Sequence, residues 1–392
     1  MKKSVLWTMA TAAGLVVANN YYNQPLLAGF ASDFGVSQKA AGAVAVAAQA
    51  GYSIGLFLFV PLGDKIERRR LICLMLALAS LALVSMALAP ALPWLVASSM
   101  IVALVSITPQ LLTPFAAHLA GASERGKAVG TVMFGLLCGI LLSRTAAGFI
   151  GAHLGWRTVY WTAAVIMIGL IVVLSRMLPR DEPAFKGNYG ALMKSLWTLY
   201  RTEPVIRETS AIGALQFAAF SGFWTTLSFY LAAMPAHYGS DVAGMFGLVG
   251  IVGAAVAPHA GKFTDKRNPS IAVMVSCFVF VLAYLVFGFG GASMAALIVG
   301  VILLDFAAQC GHVSNMTRNI ALNPATMSRA NTIYMSSRFA GGALGSALGT
   351  WAWSLWQWQG VCATGISLAL LAVLVQRLAQ RAASRRGARP TE

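Results

Sequence analysis

A run of about twenty apolar residues is long enough to cross the hydrocarbon of a bilayer as a helix, and this chain repeats such runs from end to end. They fall at residues 5–31, 39–62, 70–89, 93–118, 127–151 and 156–178, then at 207–233, 241–262, 270–290, 292–317, 329–352 and 355–376. Inside a bilayer every backbone N–H and C=O needs a partner within the protein, so spans of this length are read as helices. Of the 392 residues, 58% are hydrophobic and 10% charged, less than half the charged share of an ordinary soluble domain. The predicted fold class is an all-α membrane protein with twelve transmembrane helices.

The charges that remain have a side. The chain carries 28 Lys and Arg against 12 Asp and Glu, a surplus that in a soluble protein would point to nucleic acid. With the N-terminus in the cytoplasm, all the basic residues except Lys39, Arg144, Arg157 and Arg338 fall in cytoplasmic tails and loops. That is the positive-inside pattern. It puts both termini of a multi-pass protein on the cytoplasmic side of a bacterial inner membrane and leaves no basic patch for nucleic acid. The opening Met1-Lys2-Lys3 and the apolar run behind it imitate a secretory signal. With eleven spans following and no clear cleavage site, the run is expected to stay as the first helix. Cys73, Cys138, Cys277, Cys310 and Cys362 sit in five different spans without C-x-x-C spacing. They read as packing residues, and neither a metal nor another cofactor is expected.

The longest polar connection, containing "PRDEPAFKGN", divides six spans from six. The expected organisation is an N-terminal six-helix bundle (1–178), a cytoplasmic central loop (179–206), a C-terminal six-helix bundle (207–376) and a basic cytoplasmic tail (377–392). At an offset of about 201 to 204 residues the halves show a faint duplication. Asp64 in "VPLGDKIERRRL" matches Asp265 in "AGKFTDKRNP", while Thr113 and Arg125 match Thr317 and Arg329. A duplicated six-span unit implies two pseudo-symmetric bundles with a binding site at their interface near the membrane midplane.

The loop "PLGDKIERRRL" resembles the major facilitator signature G-x-L-x-D-x-x-G-R-[RK], and "GKFTD" at 261–265 resembles its echo in the second half. The likeness extends over essentially the whole chain. More narrowly, "NNYYNQPLL", "LSRTAAGFIGAHLGWR" and "LLDFAAQCGHVSN" resemble the bacterial drug and sugar efflux branch, the arabinose-efflux-permease-like members. There are departures. Val60 and Glu67 stand where the signature has glycines, the fourth span has no arginine, and the fifth lacks the Gly-Pro pair of the antiporter motif. The resemblance therefore implies the fold and leaves the coupling mechanism open. It also implies a cytoplasmic gate at Asp64, Arg68, Arg69 and Asp265, whose charge pairs would latch and release; orientation alone also accounts for basic residues there. Gly51-x-x-x-Gly55, Gly135-x-x-x-Gly139 and Gly341-x-x-x-Gly345-x-x-x-Gly349 are expected to form close-packed seams. In the family, spans 2, 5, 8 and 11 slide between bundles, which these seams fit.

Only one acidic residue, Asp305, lies in the middle of a span. A carboxylate in hydrocarbon is expensive, so such residues usually face a cavity and carry function. Gln309 and His312 follow at i+4 and i+7 on the same helical face. Counting 1.5 Å per residue places Asp305 about 20 Å, Asn19 about 18 Å and Arg144 about 10 Å from the outer surface. Asp305, Arg144 and His312 are accordingly the candidate proton-coupling residues. The plainer reading is a structural Asp neutralised by Arg144 or Arg338. In "NNYYNQP", helical spacing puts Asn19, Tyr22 and Asn23 on one face, with Asn20 and Gln24 beside it and a kink at Pro25. Four amides in six positions exceed what one interhelical contact needs. Span 7 carries Gln216, Phe220, Trp224 and Tyr230, flat faces suited to a neutral, aromatic or sugar-like ligand. Asn19, Tyr22, Asn23, Gln216, Trp224 and Gln309 are the candidate substrate-binding residues.

"GASERGKA" at 121–128 nearly matches a P-loop but has Ala128 in place of the metal-binding hydroxyl and no strand before it. No hydrolase motif is present, so the chain is not expected to be an enzyme. The function expected is a secondary transporter working by alternating access, a proton-coupled exporter of a drug-like or sugar-like molecule. A proton-coupled uptake symporter is the alternative, and a non-transporting receptor or membrane enzyme the remote one. The partners expected are a small-molecule substrate, protons and the lipid bilayer, with a monomer as the working state.

Overall fold

A computed structural model describes residues 2–121, 124–181, 188–265, 269–290, 293–320, 322 and 326–387, without the side chains of 64, 254–265, 320 and 382–387. Among these residues there is no strand. The order is α1 (Lys3–Val17), 3-10 turns at Ala18–Asn20 and Gln24–Leu26, α2 (Leu27–Asp33), α3 (Gln38–Phe59), α4 (Arg68–Ala87), α5 (Leu92–Val105), α6 (Thr108–Ala120), α7 (Arg125–Leu154) and α8 (Trp156–Met177). Then come α9 (Tyr189–Thr202), α10 (Pro204–Ala233), α11 (Ser240–Asp265), α12 (Pro269–Phe289), α13 (Met294–Ile320) and α14 (Met327–Gly387). The expected all-α membrane fold is what the structure has, and eight helical stretches among the described residues are long and apolar enough to cross a bilayer.

Local chemistry sets the boundaries. Ser37 caps α3 by accepting the Ala40 N–H at 3.2 Å. Pro204 and Pro269 open α10 and α12, where a missing N–H costs nothing. Gly121 at φ +73° and Gly155 at φ +80° take the left-handed turns that end α6 and α7.

Two of the expected spans are broken. The first stops being α-helical at Ala18, nine residues before α2 begins at Leu27. The fourth is cut at Ser106–Ile107, with Pro109 at the start of the second piece. Spans 11 and 12 run together as α14, whose only non-helical residues are Trp356 and Gln357, the latter at φ 50°. Within the expected central loop lies α9, which buries Leu192, Leu196 and Leu199 along one side.

The chain folds as two compact units. One comprises the residues up to Met193 with Trp224–Leu248; the other comprises Lys194–Phe223 with the chain from Val249 onward. In the first, α1 buries Met9, Ala12, Ala13 and Val16, a helical stripe, and lies along α7. Side chains at Gly135 or Gly139 would collide with the backbone of Ala10 or Gly14. Gly51 and Gly55 press likewise on Met100 and Leu104 of α5. In the second unit Gly341, Gly345 and Gly349 of α14 press on Ala214, Ala218 and Gly222 of α10. Here the structure corrects the sequence reading. The three glycine seams pack span 2 on span 4, span 5 on span 1 and span 11 on span 7, each inside one unit, and are not a surface on which bundles slide.

Candidate functional site

The break in the first span is where the site begins. Because the chain tightens into 3-10 turns at Ala18–Asn20 and Gln24–Leu26, the α-helical spacing that would align Asn19, Tyr22 and Asn23 no longer applies. The three diverge. The Asn19 amide donates to the Ser106 hydroxyl at 3.2 Å and approaches the Met167 sulfur at 3.5 Å, so the interruptions of the first and fourth spans meet. Asn23 turns back toward the Asn20 carbonyl at 3.5 Å. Tyr22 instead lines a groove of about 350 Å³ between α1 and α7. The groove runs from Trp7 and Phe134 past Thr11 and Cys138 to Tyr22 and Ser143, and carries no charged side chain.

Arg144, next to Ser143 in α7, is fully buried. Its Nε donates to Gln24 Oε1 at 2.7 Å. Its guanidinium lies 3.9 Å from the centre of the Trp224 ring and 5.0 Å from that of Tyr21, cation–π contacts that are strongest when water is excluded. Gln24, Pro25, Trp224, Leu227, Ser228 and Ala243 close around it and leave no room for a water molecule. Beyond it Thr145 donates to the Gly244 carbonyl at 2.9 Å and Ser240 to the Gly148 carbonyl at 3.1 Å. Gly148 and Gly244 approach so closely that neither position could hold a side chain without displacement. The α1–α7 groove and the packed cluster around Arg144 share no lining residue.

Several buried amide atoms here have no hydrogen-bond partner among the described residues. They are both atoms of the Asn20 amide and the side-chain oxygens of Asn19 and Asn23. Leaving such groups unpaired costs about 1–3 kcal/mol each.

In the second unit Asp305 is 2% exposed and packs against Gly250 and Gly253 of α11. His312 is separate from it, stacked on Tyr334 with its Nδ1 at 3.0 Å from the Tyr334 hydroxyl. Arg338 lies over Phe217 at 4.4 Å. Gln216 donates to Ser276 at 2.7 Å and packs on Gly311 of α13. Gln309, on the same helix as Asp305, is half-buried. Gln216 and Trp224, read together from span 7, therefore have different surroundings.

Of the four residues read from the sequence as a gate, Arg68 pairs with Asp181 at 3.0 Å and Arg69 donates to the Leu178 carbonyl at 3.2 Å. Both arginines clasp the chain leaving α8. The side chains of Asp64 and Asp265 lie outside the described residues. At the other end of the first span Asp33 accepts from Trp156 at 3.0 Å and Arg157 at 2.9 Å. The Trp156 N–H first, and then Arg157, hold its carboxyl below the ordinary carboxylate value.

Tyr21 and Ser106 are the participants that sequence reasoning passed over, and Gln24, read there only as a neighbour of the Asn19 face, is the acceptor for Arg144. Ser106 could have been found, because Pro109 follows the break in span 4 as Pro25 marks the irregular stretch of span 1.

Broken helices around a buried cation, in a chain of many membrane spans, are the architecture of a membrane transport protein. The family model for the Major Facilitator Superfamily matches residues 9–346, and the chain belongs to that superfamily. It is 40% identical to the uncharacterized transporter YgaY of Escherichia coli O157:H7, over 96% of this chain and 95% of that one. It is 34% identical to the "Probable transporter SCO4007" of Streptomyces coelicolor, over 91% and 83%. A solved POT family transporter in complex with a thioalcohol-conjugated peptide has the same fold, with a TM-score of 0.79 at 13% identity over 97% and 96% of the two chains. The protein is a multi-pass membrane transporter and not an enzyme.

Proposed function

We propose that this transporter is a proton-coupled exporter of an uncharged, aromatic or sugar-like small molecule, working by alternating access in the bacterial inner membrane. The observation that carries the reading is the groove between α1 and α7, exposed at its Trp7 and Phe134 end, with a separate tightly packed cluster around Arg144. With both termini in the cytoplasm, as the positive-inside pattern favours, the exposed end faces the cytoplasm, where an exporter loads. A wall of aromatic and aliphatic side chains without charge suits a neutral cargo. The unpaired amide atoms of Asn19, Asn20 and Asn23 give it hydrogen bonds to exchange for water.

Arg144 acts in this reading as the outer plug, and Asp305 as the proton carrier. A buried carboxylate that moves between apolar and wetter surroundings takes up and releases a proton. His312, tied to Tyr334, and Gln309 support α13 around it, while Gln216 and Trp224 contribute from α10. Arg68 and Arg69, which hold Asp181 and the Leu178 carbonyl, are proposed to form the cytoplasmic gate with Asp64 and Asp265. The transporter is proposed to work as a monomer.

A substrate screen in inside-out and right-side-out vesicles with an imposed pH gradient tests the proposal. Export predicts uptake into inside-out vesicles driven by an acidic interior. Accumulation in right-side-out vesicles with an acidic exterior would establish symport instead. Asp305→Asn is expected to abolish the pH-driven component while the protein still inserts and folds, and full coupled transport by that variant would remove Asp305 from the proton path.

A further inference from the structure

A second cavity, of about 500 Å³, lies away from the groove, where three helix ends meet. Its lining combines two cations, Lys2 and Arg176, with the Ser4 hydroxyl and an apolar floor of Val5, Leu119 and Met177. These residues belong to the start of α1, the last turn of α6 and the end of α8. Thr8, donating to the Met177 sulfur at 3.5 Å, ties α1 to α8 beside it. One N-terminal and two C-terminal helix ends contribute opposing dipoles, so Lys2 and Arg176 set the sign of the field. Neither is in an ion pair among the described residues, and the nearest acid along the chain, Asp181, is engaged by Arg68 at 3.0 Å and His118 at 3.8 Å.

We propose that this cavity binds the phosphate headgroup of an anionic phospholipid from the leaflet that surrounds the N-terminus. The ends of three spans define the depth at which a bilayer places its phosphates, and the apolar floor continues toward the acyl region. A free anion would have no use for that floor. Two solvent-facing cations bind a dissolved phosphate only weakly, but a lipid is already confined to the surface and present at high local concentration, so modest attraction suffices. The lipid would bridge α1 and α8, the helices that carry the groove's Trp7 and the Asn19 neighbour Met167.

Native mass spectrometry of the delipidated full chain, titrated with phosphatidylglycerol, phosphatidylcholine or inorganic phosphate, tests the site. Wild type is expected to take up phosphatidylglycerol in preference to phosphatidylcholine. Lys2→Ala and Arg176→Ala should each weaken that binding about fivefold and together about thirtyfold, while the charge-keeping pair Lys2→Arg with Arg176→Lys retains it. Phosphatidylglycerol bound equally by wild type and the double alanine variant would overturn the proposal. So would equal uptake of phosphatidylcholine, or protection by inorganic phosphate alone at the same concentrations.

Discussion

Arg144 shows how one side chain can hold a broken helix in place. A fully buried guanidinium must be matched by fixed polar and π partners, and Gln24, Trp224 and Tyr21 supply them from the irregular stretch of span 1 and from α10. Gln24→Leu removes the Nε acceptor and should lower stability by about 1.5–3 kcal/mol, read from denaturation in detergent. Arg144→Lys keeps the charge but loses the planar stack, so transport should fall at least tenfold, by the order-of-magnitude rule for such contacts, with membrane insertion unchanged. At the far end of the span, Asp33 carries a depressed pKa. Its contribution is therefore present above the ordinary carboxylate range and is lost as pH falls through the lower folded value. The melting difference between wild type and Asp33→Asn should be visible near about pH 6 and shrink as pH falls below the ordinary carboxylate value.

At the scale of helices, close approach governs. Gly139→Leu would drive a side chain into Gly14 and separate α1 from α7, so folded yield on size-exclusion chromatography should collapse. Gly130→Leu, in the same helix with nothing within 4 Å, should leave it intact. The sequence showed that these glycines form seams, since small residues at four-residue spacing mark a close-packed face. It did not show which helix each face meets, because partner choice depends on where every other helix stands. The same limit explains the site. Arg144, Asp305 and the amides were legible because a polar group in a span is costly wherever it points. The pairing of Gln24 with Arg144 and of Asn19 with Ser106 was not. Both depend on 3-10 turns that rotate each side chain away from its α-helical direction, and Pro25 signalled only a kink. The helix α9 went unread for another reason: its apolar residues are too few for a span and too interspersed with charge to stand out.

For the molecule as a whole, length and apolar content carried the reading furthest, since the spacing of spans and the asymmetry of basic residues depend on no single contact. The open groove gives the conformation a direct probe. Cys138 lines it, whereas Cys277, Cys310 and Cys362 are buried. In a Cys73→Ala background, a membrane-impermeant maleimide should label Cys138 in inside-out vesicles and much less in right-side-out ones, with cargo slowing the reaction. The opposite sidedness would reverse the proposed orientation. Gly148→Leu should pry apart the close packing beside Arg144 and reduce that labelling, because a side chain there meets Ser240 and Gly244.

The absence of room for a single water molecule around Arg144 bears on the cell's energy supply. Protons move through proteins along chains of hydrogen-bonded water, and a continuous chain across a transporter would short-circuit the membrane potential at every idle moment. A fixed positive charge packed dry between Trp224, Gln24 and Pro25 interrupts such a wire twice, by excluding the water and by repelling the hydronium. Packing this tight around a buried positive charge keeps protons from leaking through this part of the protein.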